Sequence, residues 1–140
     1  MNPLPIFYFK EQIIQNLTEE QEAETYQVTL DEPWVSHIST WTMDSEEAQT
    51  LLSFNRIRLP FRKFVDGRSY SIARLLKNTL QYKGHLVANG EIALDQIPYL
   101  YEVGFDGFEV PYSPSSQEIE SIQSITNRLK KQPASYLKTH

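Results

Sequence analysis

Asp66, Gly67, Arg68 and Ser69, followed by Ser71 and Arg74, gather a carboxylate, two guanidiniums and two hydroxyls within nine residues. They sit at a change of pattern. An apolar run (Ile57, Leu59, Phe61, Phe64) stops at Asp66-Gly67, and a helical pattern starts at once at Arg68. Glycine reaches backbone angles closed to other residues, so a sharp turn is expected at Gly67. The helix that follows would offer free backbone N–H groups beside Arg68, Ser69, Ser71 and Arg74, and such a helix start attracts an anion. Arg68 can fork two donors onto one oxyanion. Asp66 and Asp95 are the candidates for moving a proton or orienting Arg68. A plainer reading makes the same turn a capped helix start, with Asp66 as the cap and the arginines paired to nearby carboxylates. Asp95-Gln96 and Asp106 likewise read either as site carboxylates or as turn and cap residues.

The elements around this turn follow from periodicity. Ile6 to Phe9 and Tyr26 to Leu30 are expected strands, separated by an acidic loop or helix turn from Leu17 to Glu24. Trp34 to Trp41 reads as a strand. Asp44 caps a helix carrying Ala48, Leu51 and Leu52, and Asn55 to Phe61 is a strand with Pro60 near its end. From Ser69 to Tyr82, Ile72, Leu75, Leu76, Thr79 and Leu80 form one apolar stripe, with Arg74, Lys77, Asn78 and Gln81 opposite. His85 to Ala88 is a strand running into an Asn89-Gly90 turn. A helix over Leu94 to Val103 starts at a cap on Asp95, with Pro98 in its first turn, and Gly104-Phe105 closes it. Gly107 to Val110 is a strand. Ser115 or Ser116 opens a last helix whose stripe is Ile119, Ile122, Ile125 and Leu129, and Pro133 ends it.

Strand and helix alternate about four times from Trp34 onward. This predicts a single α/β domain with a mainly parallel sheet, either an open Rossmann-like sheet or a partial barrel. Residues 1–33 are expected to pack on an α/β core of residues 34–132, with a flexible tail over 133–140. The loops Val65–Ser69, Asn89–Ile92 and Pro111–Ser115 should meet outside the carboxyl ends of the strands, where such sheets bind ligands.

Composition narrows the chemistry. The chain has 140 residues, 13 basic and 18 acidic, for a net charge of −5, which argues against general nucleic-acid binding. It has no cysteine, which removes disulfides, thiolate metal sites and cysteine nucleophiles. His37 and His85 lie apart from any carboxylate at ligand spacing, so no metal is expected. Residues 2–5 start neither a signal peptide nor a membrane span, and the expected location is the cytoplasm. Tyr99, Tyr101, Phe105, Phe108 and Tyr112 cluster in a short span. Most should be core, and any that stay exposed would mark a partner surface.

The segment from Phe64 to Val110 resembles a bacterial family, domain of unknown function 934. The resemblance rests on Phe64, Asp66-Gly67-Arg68, Tyr70-Ser71, Ala73-Arg74-Leu75-Leu76, Gly84, Leu86, Ala88, Gly90, Asp95-Gln96, Leu100, Gly104-Phe105-Asp106 and Phe108-Glu109, about a third of the chain. Family members carry the label of an oxidoreductase in sulfite reduction. The chain departs from the family at His85, Val87 and Glu102-Val103, where the family has an acidic residue, an arginine and an Arg-Cys pair. It also lacks a glycine-rich dinucleotide loop and any cysteine ligand, so it is expected to carry no redox cofactor. The resemblance thus implies an accessory of sulfite reduction and sulfur assimilation, binding a partner protein and a small oxyanion. Two alternatives stand beside it. One is a small enzyme acting on a phosphorylated or sulfonated metabolite, and the other is a homodimeric scaffold without a ligand.

Overall fold

The computed structural model describes residues 4–61, 67–90, 92–110 and 114–131. Asp66, the loop start at Val65, Glu91, Pro111 to Ser113 with Tyr112, and the tail from residue 132 lie outside them. Within the described residues the chain forms β1 (Ile6–Tyr8), β2 (Ile13–Gln15), α1 (Glu19–Ala23), β3 (Thr25–Gln27), α2 (Glu46–Leu52), β4 (Arg56–Phe61), α3 (Gly67–Arg74), β5 (His85–Gly90), α4 (Ile97–Val103), β6 (Gly107–Glu109) and α5 (Ser116–Lys131).

The six strands make one sheet in the order β2-β1-β6-β5-β4-β3. Strands β3 to β6 run parallel, as strand–helix alternation requires. β1 runs antiparallel to both β2 and β6, so the sheet is mixed and the expectation of a mainly parallel, Rossmann-like sheet is corrected. The tight β1–β2 connection accounts for the first of these two pairings. Gln12 takes a positive φ of 57° and donates its N–H to the Tyr8 carbonyl at 2.8 Å, which reverses the chain in too few residues for a parallel crossover.

Two other expectations change. Residues 33–40 form two 3-10 turns, Pro33–Ser36 and Ile38–Thr40, instead of a strand. Pro33 lacks the N–H a strand needs and fits the first turn of a helix, while Trp34 and Trp41 stack at 5.4 Å. The helix expected over Ser69 to Tyr82 divides: α3 ends at Arg74 and a π-helical turn covers Leu75–Thr79, with Leu80 N–H bonding the Leu75 carbonyl at 2.9 Å.

The helix ends show the caps in detail. Ser45, not Asp44, precedes α2, and its hydroxyl accepts the Thr42 N–H instead of capping the helix. A 3-10 turn over Leu94–Gln96 leads into α4, so Asp95 is not its cap, although Pro98 does sit in the first turn. Gly104 closes α4 at φ 112°, and Phe105 N–H reaches the Leu100 carbonyl at 3.0 Å. Ser115 and Glu118 cap α5 reciprocally, each side chain accepting the other's backbone N–H at 3.1 Å.

Side chains from α2 to α5 pack on one face of the sheet. Ala48, Leu51, Ile72, Leu76, Leu100 and Ile122 meet Ile57, Leu59, Leu86, Ala88, Phe108 and Phe7 in a single core. Residues of β4 alternate, so Arg56 and Arg58 point to the opposite face. There Ile6, Tyr8 and Val87 form a small second cluster with Leu17. The chain between β2 and β3 joins opposite edges of the sheet, and α1 lies over this second face, tied by Glu22 to Arg58.

Candidate functional site

Gly67 opens α3 without a positive φ, and a β-carbon added there would meet nothing within 4 Å. The glycine is therefore not used for its special backbone freedom, contrary to the sequence expectation. β4 ends at Phe61 and α3 begins at Gly67, and the bond from Ser69 in its first turn to the Pro60 carbonyl sets that turn beside the carboxyl end of a parallel strand.

The expected anion-site residues divide over α3. Gly67, Arg68 and Ser71 line a cavity of about 610 Å³, whose other wall is the 3-10 segment. Ser71 also donates its hydroxyl to the Gly67 carbonyl at 3.2 Å. Arg74 lies on the other flank of α3, where a cavity of about 390 Å³ is lined by Tyr70, Ser71, Arg74, Asp95, Gln96, Tyr99 and Val103. Ser69 faces neither. It is fully buried and donates its hydroxyl to the Pro60 carbonyl at 2.5 Å, fixing α3 to the end of β4. The serine expected to grip an anion thus does structural work.

In the larger cavity, Leu30, Val35, Ile38, Ile72 and Leu75 supply an apolar lining, with Asp31 and Glu32 at the rim. The Glu32 carboxylate accepts the Tyr26 hydroxyl and the Thr29 N–H, the latter at 3.1 Å. Burial raises the Tyr26 hydroxyl above its ordinary 10.0, and hydrogen bonding to Glu32 adds to the effect. In the smaller cavity, burial likewise raises Tyr70, while a hydrogen bond with Gln96 opposes the shift.

Asp106 is a turn residue. Its carboxylate accepts the Leu86 N–H at 2.7 Å and the Lys77 ammonium at 3.2 Å. Lys77, expected on a solvent face, is half-buried and pairs with Asp106 across the π-helical turn. His85 is exposed at the start of β5, its ring edge-on to Tyr8 at 5.8 Å.

The second sheet face carries polar residues that sequence reading did not assign to a site. Arg58 donates Nη1 to Glu22 at 3.1 Å and pairs with it through Nη2 as well. Gln27 donates to Asn89 at 3.1 Å, and Glu109 accepts the Gly90 N–H at 3.3 Å. Burial raises the Glu109 carboxyl, against the lowering influence of Gly90 and Arg58. Arg56 and Arg58 are both more than nine-tenths buried, and the Nε of each lacks a partner. The Arg-Ile-Arg-Leu alternation of β4 was the available signal: one apolar face for the helices, one charged face for something else. Among the described residues no helix is long and apolar enough to cross a membrane.

A family model described as bacterial protein of unknown function, domain of unknown function 934, matches residues 38–138, and the chain belongs to that family. The match extends well beyond the Phe64–Val110 segment that carried the resemblance, taking in the second 3-10 turn, α2 and α5. β1, β2, α1 and β3 precede it. No curated protein and no solved structure matches the chain.

Proposed function

We propose that this protein is a non-catalytic accessory of sulfite reduction that binds a partner protein and holds a small oxyanion. The pathway comes from the label carried by the family. The observation that carries partner binding is the exposure of Tyr99 at 59%, in the first turn of α4, and of Leu94 at 49%, in the 3-10 turn that precedes it. Phe105 and Phe108 from the same aromatic cluster are buried, so Tyr99 is left as an outward anchor at the rim of the smaller cavity. Aromatic anchors beside a pocket are where binding energy concentrates in protein interfaces. Co-purification with the sulfite-reducing enzyme from native expression tests this. The paired change Leu94→Ser and Tyr99→Ser should abolish capture while leaving the fold intact, and capture that survives it would refute the surface.

The oxyanion belongs at the larger cavity, where the start of α3 brings Arg68 and Ser71 to one wall. Sulfite, sulfate and phosphate should raise the melting temperature, and Arg68→Ala should remove the rise. The enzyme alternative needs an acid or base beside that anion. Of the two candidates for that role, Asp95 lines the other cavity with Arg74, and Asp66 lies outside the described residues.

A further inference from the structure

The smaller cavity combines two opposite charges with two aromatic rings. Its α3 wall carries Tyr70 and Arg74, and its other wall carries Asp95 from the 3-10 turn and Tyr99 from the first turn of α4. Arg74 and Asp95 are both exposed, and neither forms a hydrogen bond or ion pair among the described residues. They line one cavity, yet they do not pair with each other. A bare anion at Arg74 would meet the Asp95 carboxylate unfavourably, and a bare cation at Asp95 would meet Arg74 in the same way. A ligand carrying both signs satisfies both walls.

The rings say what the rest of that ligand is. Tyr70 is half-buried, and its ring is held edge-on by Phe61 with centroids 5.0 Å apart. Tyr99 is 59% exposed and has no ring partner among the described residues. Ring pairs are worth more than the area they bury, so an aromatic group gains most from this surface. The volume of about 390 Å³ falls at the lower end of the range that encloses small organic molecules.

We infer that this cavity binds a free aromatic amino acid, its α-carboxylate at Arg74, its α-ammonium at Asp95 and its ring against Tyr70 and Tyr99. The guanidinium can fork two donors onto the carboxylate, and the carboxylate of Asp95 accepts from the ammonium. The inference does not rest on the oxyanion reading of the larger cavity. It shares Tyr99 with the proposed partner surface.

Isothermal titration near neutral pH with L-phenylalanine, 3-phenylpropanoate, phenethylamine and L-alanine tests each contact in turn. L-Phenylalanine should bind about tenfold or more tighter than 3-phenylpropanoate or phenethylamine, each of which lacks one charge-assisted hydrogen bond. L-Alanine keeps both charges and lacks the ring, and it should be weaker by about the same factor. Asp95→Asn should lower the affinity for L-phenylalanine to that of 3-phenylpropanoate, and Arg74→Ala to that of phenethylamine. Both side chains are exposed, so unchanged circular dichroism should accompany both variants. The analogue series is read on the unaltered chain, so it decides the matter even where a variant folds poorly. The proposal is overturned if L-phenylalanine shows no saturable binding, binds no tighter than its singly charged analogues, or ignores either substitution.

Discussion

Leu86 and Asp106 exchange two hydrogen bonds: the Leu86 N–H donates to the Asp106 carboxylate at 2.7 Å, and the Asp106 N–H donates to the Leu86 carbonyl at 2.8 Å. The carboxylate stands in for a strand carbonyl just before β6 begins, and Lys77 shares it. Asp106→Ala would leave the Leu86 donor without a partner in a buried strand. A loss of about 1–3 kcal/mol in urea unfolding is expected, with Asp106→Asn losing less because its oxygen can still accept.

Glycine substitutions separate two uses of that residue. At Gly90, φ is 106° and an added β-carbon would run into the Phe61 carbonyl oxygen, so Gly90→Ala should destabilise by well over 1 kcal/mol. At Gly67 the backbone is helical and the space is open, so Gly67→Ala should be neutral or stabilise by about 0.5 kcal/mol. Thermal unfolding of the two variants side by side checks both signs.

The Glu22–Arg58 pair ties α1 to the second sheet face. Arg58's side chain is 9% exposed and Glu22's is 36% exposed, so solvent screens one end. Glu22→Ala should therefore cost about 1–2 kcal/mol, less than a fully buried pair would lose. Adding Arg58→Met should recover part of that loss by removing the stranded cation. A double-mutant cycle in denaturant measures the coupling, and strict additivity would count against it.

Glu109 sets a pH dependence. Burial raises its folded carboxyl above the ordinary 4.5, so between these two values the folded chain binds more protons than the unfolded chain. Its contribution to stability therefore falls as pH rises through that window and stays low above the folded value. Glu109→Gln removes the titration. The variant should gain on the parent as pH rises from about 4, and the gain should then level off. Unfolding midpoints across the acid range would show the divergence, and parallel curves would argue against a raised Glu109.

Local signals made much of this architecture legible. The strands at Ile6, Arg56 and His85, the closure at Gly104 and the stripe of α5 follow from apolar spacing and from one glycine with a left-handed backbone. The antiparallel β1–β2 hairpin was not legible. Its turn uses Gln12 at positive φ, which no Asn-Gly or Asp-Gly pair announces. The 3-10 turns were hidden because Val35, Ile38 and Trp41 fit no single period, and what settles them is the stacking of Trp34 on Trp41, a tertiary contact. The π-helical turn escaped for a related reason: the stripe from Ile72 to Leu80 satisfies the α-helical rule, and the widening shows only in the Leu80–Leu75 bond.

At the site, the residue types were legible but not their directions. Arg68 and Ser71 face a cavity, whereas Ser69 turns inward to Pro60 and Arg74 lies on the far flank. Neighbours on a helix point about a hundred degrees apart, so a run of polar residues cannot all serve one pocket. Asp31 gave no motif at all; only the fold brings it to the cavity that Arg68 also lines.

β2 and β3 occupy the two margins of the sheet, yet both precede Ile38, where the family match begins. The N-terminal third is therefore a girdle that closes both sides of the β4–β6 ribbon in one pass. A chain trimmed to Ile38 would bare the backbone of β4 and of β6 together, turning two inner strands into sticky flanks.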